Sequence, residues 1–389
     1  MRKFQLLVLG FILLFCFPVS THANQIDMAE LRAMYIKDSK YWPKPTLDEG
    51  VEHRELGLLG DVVFPKDNTF SIKKMNLGQM LFNDARLSRS KQIACASCHD
   101  PDLGWADGRK KSFGHNRQQG KRNAPSIENI GYGKHFFWDG RAKTLELQAL
   151  MPIQDPLEMN FTLPELEKRL NKIPEYKSVF KEAFGDENIT VKRVGMALAT
   201  FQRTITSRKS DFDFFMLASR QTSDRTKAIY QKKLSDDALL GLHLFRTKAR
   251  CMNCHSGSML TDQKFHNIGL TFYKRKNQDL GRYNVTFDPT DVGKFKTPSL
   301  RGVMNGRPWM HNGLFVDMEG IISLYNAGGG FTKPDINDPL SPTLSPHLKP
   351  LALTKKEISA LVAFMDSITA RPARGPARKF LKNIDVIEN

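Results

Sequence analysis

Four of the chain's five cysteines stand in two matching settings. Cys95-Ala96-Ser97-Cys98-His99 is the first, and Cys251-Met252-Asn253-Cys254-His255 the second. Two thiols separated by two residues can reach the two vinyl groups of a haem and become thioethers. The histidine that follows then offers its imidazole to the iron. A thiol pair of this spacing also serves thioredoxin-like redox chemistry or half of a zinc site. The histidine directly after each pair, present twice, argues against both. The chain is therefore expected to carry two covalently bound haems of the c type.

The fifth cysteine, Cys16, lies in an apolar run from Leu6 to Phe17 that follows Arg2 and Lys3. Pro18 breaks the run, and Thr21-His22-Ala23 offers small residues to a peptidase. This predicts a signal peptide over 1–23, cleaved after Ala23, and too short an apolar run for a membrane span. Haem c is attached outside the cytoplasm, so a periplasmic location agrees with the motifs. The exported chain would keep four cysteines, all committed to haem.

The elements that must hold these motifs repeat as well. Leu77-Gly78-x-x-Leu81-Phe82 precedes the first haem motif, and Leu240-Gly241-x-x-Leu244-Phe245 precedes the second. Each has helical spacing. Downstream, Pro125-Ser126, Gly140 and Glu146 recur at the same separations as Pro298-Ser299, Gly313 and Glu319. The expected fold is mainly α, with two cytochrome-c-like haem domains related by internal duplication. The boundaries expected are 24–215 and 216–353, with a closing helix in 354–389 returning to complete the first domain. Thr162-x-x-Glu165 and Thr354-x-x-Glu357 read as helix caps, the latter opening a helix through Ile368. Thr190 to Thr206 reads as a long amphipathic helix. No sustained alternation argues for a sheet.

In the ungapped register of the repeat, Tyr325 falls opposite Pro152. A phenol oxygen can ligate ferric iron, whereas proline offers no side-chain donor. The two haems would then be built differently, one closed by Tyr325 and the other open. Otherwise Tyr325 is a packed helix tyrosine.

The sequence resembles the bacterial di-haem cytochrome c peroxidases and their relative MauG across nearly all of the chain after residue 23. The resemblance is carried by Ile93 to Asp100, Arg122-Asn123-Ala124-Pro125-Ser126, Phe137-Trp138-Asp139-Gly140-Arg141-Ala142 and Pro152 through Met159. In the second half it is carried by His266-Asn267-Ile268-Gly269, Pro298-Ser299-Leu300-Arg301 and Met310-His311-Asn312-Gly313. It implies reduction of hydrogen peroxide with electrons from a small periplasmic carrier, a cytochrome c or a cupredoxin, and often a homodimer. It implies a peroxide site at the haem of His99, with Gln148 and Glu158 as distal polar groups. A carboxylate there can move a proton between the peroxide oxygens. Trp138 matches the tryptophan between the haems. Asn123, with the main-chain carbonyls of Gly306 and Pro308, matches an inter-haem calcium site, although Gly306 replaces the usual threonine.

His115 stands where classical members carry a removable ligand to the first iron, though it also reads as a loop histidine beside Arg117. Tyr325 matches MauG, where the peroxidases have methionine. Ala249 departs from MauG, which has a surface tryptophan there. Three functions compete: a peroxidase, a MauG-like oxidase acting on a partner protein, and a di-haem electron carrier. Pro152, Gln148 and Glu158 argue against the carrier, which needs neither an open iron nor a distal acid. Fifty-eight Lys and Arg against 41 Asp and Glu give a net charge of +17. A chain so basic suits an acidic redox partner, and export argues against nucleic acid.

Overall fold

The computed structural model describes residues 27–331 and 334–381. The expected signal peptide and its cleavage point lie outside the described residues. The chain is mainly helical. Its one sheet among the described residues pairs Phe265–His266 with Phe295–Lys296, antiparallel. No described helix is long and apolar enough to cross a membrane.

Two hydrophobic cores organise the molecule. In the first, the Ile72–Asn83 helix crosses the Val191–Arg203 helix. In the second, the Asp236–Arg246 helix crosses the Lys355–Ser367 helix. The repeated glycine makes both crossings possible. A Cβ on Gly78 would lie 2.0 Å from the Ala197 carbonyl oxygen and 2.8 Å from the Phe201 Cβ. A Cβ on Gly241 would lie 2.0 Å from the Ala360 carbonyl oxygen and 2.8 Å from the Phe364 Cβ. Backbone meets backbone there, so no side chain fits. Phe82 then packs its ring 5.2 Å from that of Phe201, and Phe245 packs 5.2 Å from that of Phe364.

The caps read from sequence form. Thr162 accepts from the Glu165 N–H and Thr354 from the Glu357 N–H, each inside a capping box. Thr190 caps the Val191–Arg203 helix.

The division of the chain differs from the expected boundaries. The Lys355–Ser367 helix belongs to the second core and not the first, because Ala360, Leu361 and Phe364 pack on the helix before the second motif. Only the segment after it turns to the first half, where the Trp105 indole N–H donates to the Ala373 carbonyl at 2.6 Å. The Ala377 N–H likewise donates to the Thr204 carbonyl at 3.0 Å. The start of the described chain also belongs to the second core, through Leu31, Tyr35, Trp42 and Leu56. Arg246, fully buried, ties it there by pairing with Glu55 and donating to the Pro43 carbonyl at 2.5 Å.

Candidate active site

Each CxxCH motif opens in a short 3-10 turn, Cys95–Ser97 or Cys251–Asn253. The turn brings the histidine back, so that the His99 N–H donates to the Cys95 carbonyl at 3.0 Å and the His255 N–H to the Cys251 carbonyl at 2.8 Å. Both imidazoles are then oriented in the same way. His99 Nδ1 bonds the Trp105 carbonyl at 3.0 Å, and His255 Nδ1 bonds the Leu260 carbonyl at 3.0 Å. A carbonyl only accepts, so Nδ1 carries the proton and Nε2 keeps its lone pair for iron. Burial lowers both histidine pKa values, which favours the neutral, ligating form. Trp105 and Leu260 hold positive φ, 61° and 49°, uncommon for residues with a Cβ. These two acceptors were not found from sequence. A main-chain oxygen has no side-chain signature, and the only nearby signal was the turn-rich Trp105 to Gly108.

Burial pushes the Cys95 and Cys251 thiols up to about 12, which does not suit a free thiolate nucleophile. Cys254, Asp262 and His266 place ligand atoms within 4.8 Å of one another. Cys254 belongs to the second CxxCH motif, so the trio overlaps a haem-attachment motif and is not read as a separate metal site.

His99 faces a cavity of about 1320 Å³ whose wall includes Cys95, Cys98, Gln148, Pro152 and Glu158. The structure thus brings Gln148 and Glu158 to one side of the first motif. Burial, with Asp155 adding to it and Arg141 opposing, pushes the Glu158 carboxyl up to about 7. Such a group can take or release a proton near neutrality. Gln148 Oε1 is buried with no hydrogen-bond partner among the described residues.

His255 faces a second cavity of about 330 Å³, lined also by Cys251, Cys254 and Tyr325. Tyr325 is the eighth residue of the Met318–Asn326 helix, as Pro152 is of the Leu145–Gln154 helix. The two residues thus take the same ordinal place in their helices. Burial raises the Tyr325 pKa, so the phenol is neutral here without a cation beside it. Lys296 also faces this cavity, its amine pushed down to about 8 by burial and without an ion pair among the described residues.

Trp138 and Asn123 line both cavities. The Trp138 indole N–H donates to the Asn123 carbonyl at 3.0 Å. His311 lines both as well, with its ring stacked on Phe295 at 3.6 Å and 6.4 Å from the Trp138 ring. Gly306 and Pro308 join Asn123 in the second cavity's wall. Asn123 spends its Nδ2 on the Arg109 carbonyl at 2.9 Å, which leaves its Oδ1 as a free oxygen donor.

His115 is placed differently. Its N–H donates to the Glu158 carbonyl at 2.7 Å, and its Nδ1 is buried without a partner among the described residues. Gly114 reaches the wall of the first cavity, but His115 does not. Ala249 is buried, not a surface residue.

The residues present fit a haem at each motif. Each cavity meets the thiol pair and a histidine whose Nε2 is free. The first also holds a buried Gln148 Oε1 with no hydrogen-bond partner among the described residues, and Lys296, without an ion pair among them, lines the second. A haem brings a cationic centre and two carboxylates to such groups.

A family model described as di-haem cytochrome c peroxidase matches residues 72–221. The chain is 37% identical over 356 residues to the methylamine utilization protein MauG of Methylorubrum extorquens, covering 90% of this chain and 88% of that one. It is 36% identical over 341 residues to cytochrome-c peroxidase IdrP1 of Denitromonas iodatirespirans, covering 81% of this chain and 86% of that one. Among solved structures, a MauG-like protein associated with microbial copper homeostasis superposes with a TM-score of 0.68 at 29% identity, covering 86% of this chain and 97% of that one. The likeness runs through both motifs and both cores, so the chain belongs to the di-haem cytochrome c peroxidase and MauG family, whose members hold covalently bound haem c.

Proposed function

We propose that the protein is an exported di-haem peroxidase that reduces hydrogen peroxide to water, with electrons from a small periplasmic redox protein. The observation that carries this reading is the first cavity. Glu158, poised near neutrality, and Gln148 share it with His99, and Pro152 occupies the position that Tyr325 fills in the other half. A haem held there by Cys95, Cys98 and His99 would supply redox-active iron for reduction of the peroxide. Glu158 takes a proton from one peroxide oxygen and returns it to the other, which leaves as water. Gln148, with its free oxygen, orients the peroxide. Trp138, in the wall of both cavities, is the conduit between the haems, and Tyr325 closes the second. The shared register of Pro152 and Tyr325, with the paired glycine crossings, supports a duplication. Asn123 Oδ1, with the carbonyls of Gly306 and Pro308, would hold calcium between the haems.

Gly114 but not His115 lines the first cavity, which supports a ferric protein that is open to peroxide. Stopped-flow mixing of the ferric protein with stoichiometric hydrogen peroxide should therefore change the haem spectrum directly. Reaction only after one electron has been added would instead make His115 a gate. Reduced cytochrome c or a cupredoxin should then support continuous peroxide consumption.

Tyr325 favours a second reading, a MauG-like oxidase. An anionic phenolate stabilises ferric iron and lowers a haem's potential. Tyr325→Met should raise the second haem's reduction potential in a spectroelectrochemical titration. A ferric protein that holds its oxidised state but does not turn over with any small donor would transfer the assignment to this reading. Buried Ala249 argues against a copy of MauG's electron route.

A further inference from the structure

The N-terminal segment packs two oxidisable rings into the second core. Tyr35 and Trp42 are both buried, with ring centres 5.1 Å apart. From Trp42 the rings continue to Phe212 at 6.4 Å, then to Phe364 at 5.4 Å, then to Phe245 at 5.2 Å. Phe245 lines the cavity of the second motif. The backbone makes a second link. The Thr46 N–H donates to the Arg246 carbonyl at 2.8 Å. Asn253, between Cys251 and Cys254, donates from Nδ2 to the Thr46 carbonyl at 3.3 Å. Trp42 is separated from Thr46 by at most about 14 Å of chain.

The Tyr35 hydroxyl has a base to receive its proton. Arg246 donates to the Tyr35 oxygen at 3.3 Å, and a guanidinium only donates. The phenol's own hydrogen is therefore left for His243 Nδ1, 3.1 Å away. Burial, with the Arg246 charge adding to it, lowers the His243 pKa, so the imidazole is neutral and can accept. The His243 ring is half-buried, which leaves an imidazolium there in contact with water. Glu55 balances the charge of Arg246. A phenol gives up an electron readily near neutral pH when its proton has such a base, and an indole can relay an electron without one. The two halves differ here. The carbonyl that orients His99 belongs to Trp105, itself an oxidisable ring. The one that orients His255 belongs to aliphatic Leu260, and Tyr35 and Trp42 share that half's core with Phe245.

We propose that Tyr35 and Trp42 are a redox-active pair that supplies an electron to the second haem site when peroxide reacts and no donor is bound. The inference rests on the reading above for its oxidant, hydrogen peroxide. Two electrons and two protons convert hydrogen peroxide to two waters. One electron is drawn from the haem pair and the other from Tyr35, relayed by Trp42. Both protons come from solvent. The Tyr35 O–H bond breaks, its proton moves to His243 Nδ1, and a neutral tyrosyl radical keeps the Arg246 hydrogen bond on its oxygen. An electron from the donor and the proton held by His243 then restore the phenol. The pair thus holds an oxidising equivalent away from the peroxide cavity until a donor arrives.

The test mixes the ferric di-haem holoprotein with stoichiometric hydrogen peroxide, without donor, and freezes it for electron paramagnetic resonance. A free-radical signal is expected, and its hyperfine splitting should collapse when the tyrosines are ring-deuterated. That readout needs no variant. Tyr35→Phe and Trp42→Phe should each abolish the signal and leave the optical response of the haems to peroxide in place. Over repeated peroxide additions without donor, haem bleaching in each variant should run about tenfold faster than in the wild type. A haem response without a tyrosine radical, or with a radical unchanged in either variant, overturns the inference and leaves the peroxidase reading standing. Variants that lower the denaturation midpoint and leave the radical intact overturn it too. No haem response to peroxide brings down the peroxidase reading, and this inference with it.

Discussion

At the scale of single residues, the chemistry depends on groups whose environment moves them off their ordinary behaviour. In the proposed reaction Glu158 must be a carboxylate to accept the peroxide proton, and burial raises its pKa to about 7. The kcat/KM for hydrogen peroxide should therefore rise with pH through about 7. Glu158→Gln should lower it by roughly 10² to 10⁴ and flatten that rise, as a pH series of steady-state rates will show. Glu128 carries a similar burden without a catalytic reason. Its Oε1 is buried with no hydrogen-bond partner among the described residues, and burial raises its pKa to about 7. The folded state then holds a proton that the unfolded chain releases between about pH 4.5 and 7. Stability from this group is present at low pH and lost as pH climbs through 7. Glu128→Gln should thus match the wild type near pH 4.5 and exceed it at pH 8 by up to about 3 kcal/mol, measured by thermal melts across that range. The haem-attachment motifs were legible at this scale because CxxCH is a local signature. The main-chain oxygens of Trp105 and Leu260 were not, since any residue type supplies the same atom.

At the scale of elements, the repeated Leu-Gly pair is explained by the helix crossings. Gly78→Ala and Gly241→Ala each drive a methyl into a carbonyl oxygen 2.0 Å away. Each should cost about 3 kcal/mol of stability, read as a fall in the denaturation midpoint of the holoprotein. Helix caps were also legible, because a capping box is a four-residue affair. The partner of the Lys355–Ser367 helix was not. Its amphipathic pattern shows that one face is buried and leaves open which core receives it.

At the scale of the whole molecule, the charge of +17 acts over distances that no single contact covers. An acidic electron donor should be steered to this surface. Raising the salt from about 0.05 to 0.5 M should then lower the kcat/KM for that donor by about tenfold. A rate that stays flat across the same salt series would remove the acidic partner from the picture. The chain's path matters at this scale too. The first described helix and the last long helix both pack in the second core, and Arg246 holds the former there. A chain cut after residue 215 would therefore separate the first half from a segment, 369–381, that returns to it.

The sequence by itself determined the two haem motifs, the helices that flank them, and the asymmetry between Pro152 and Tyr325. Each rests on spacing within a short stretch, where covalent geometry and helical pitch leave little freedom. Tertiary structure alone decided which core each terminal segment joins and which carbonyls orient His99 and His255. It also decided that Phe272, Leu280 and Val285 line the cavity of the opposite haem motif. These depend on contacts between distant parts of the chain. Many segments could satisfy the same apolar face or the same hydrogen bond, and only the packed whole selects one.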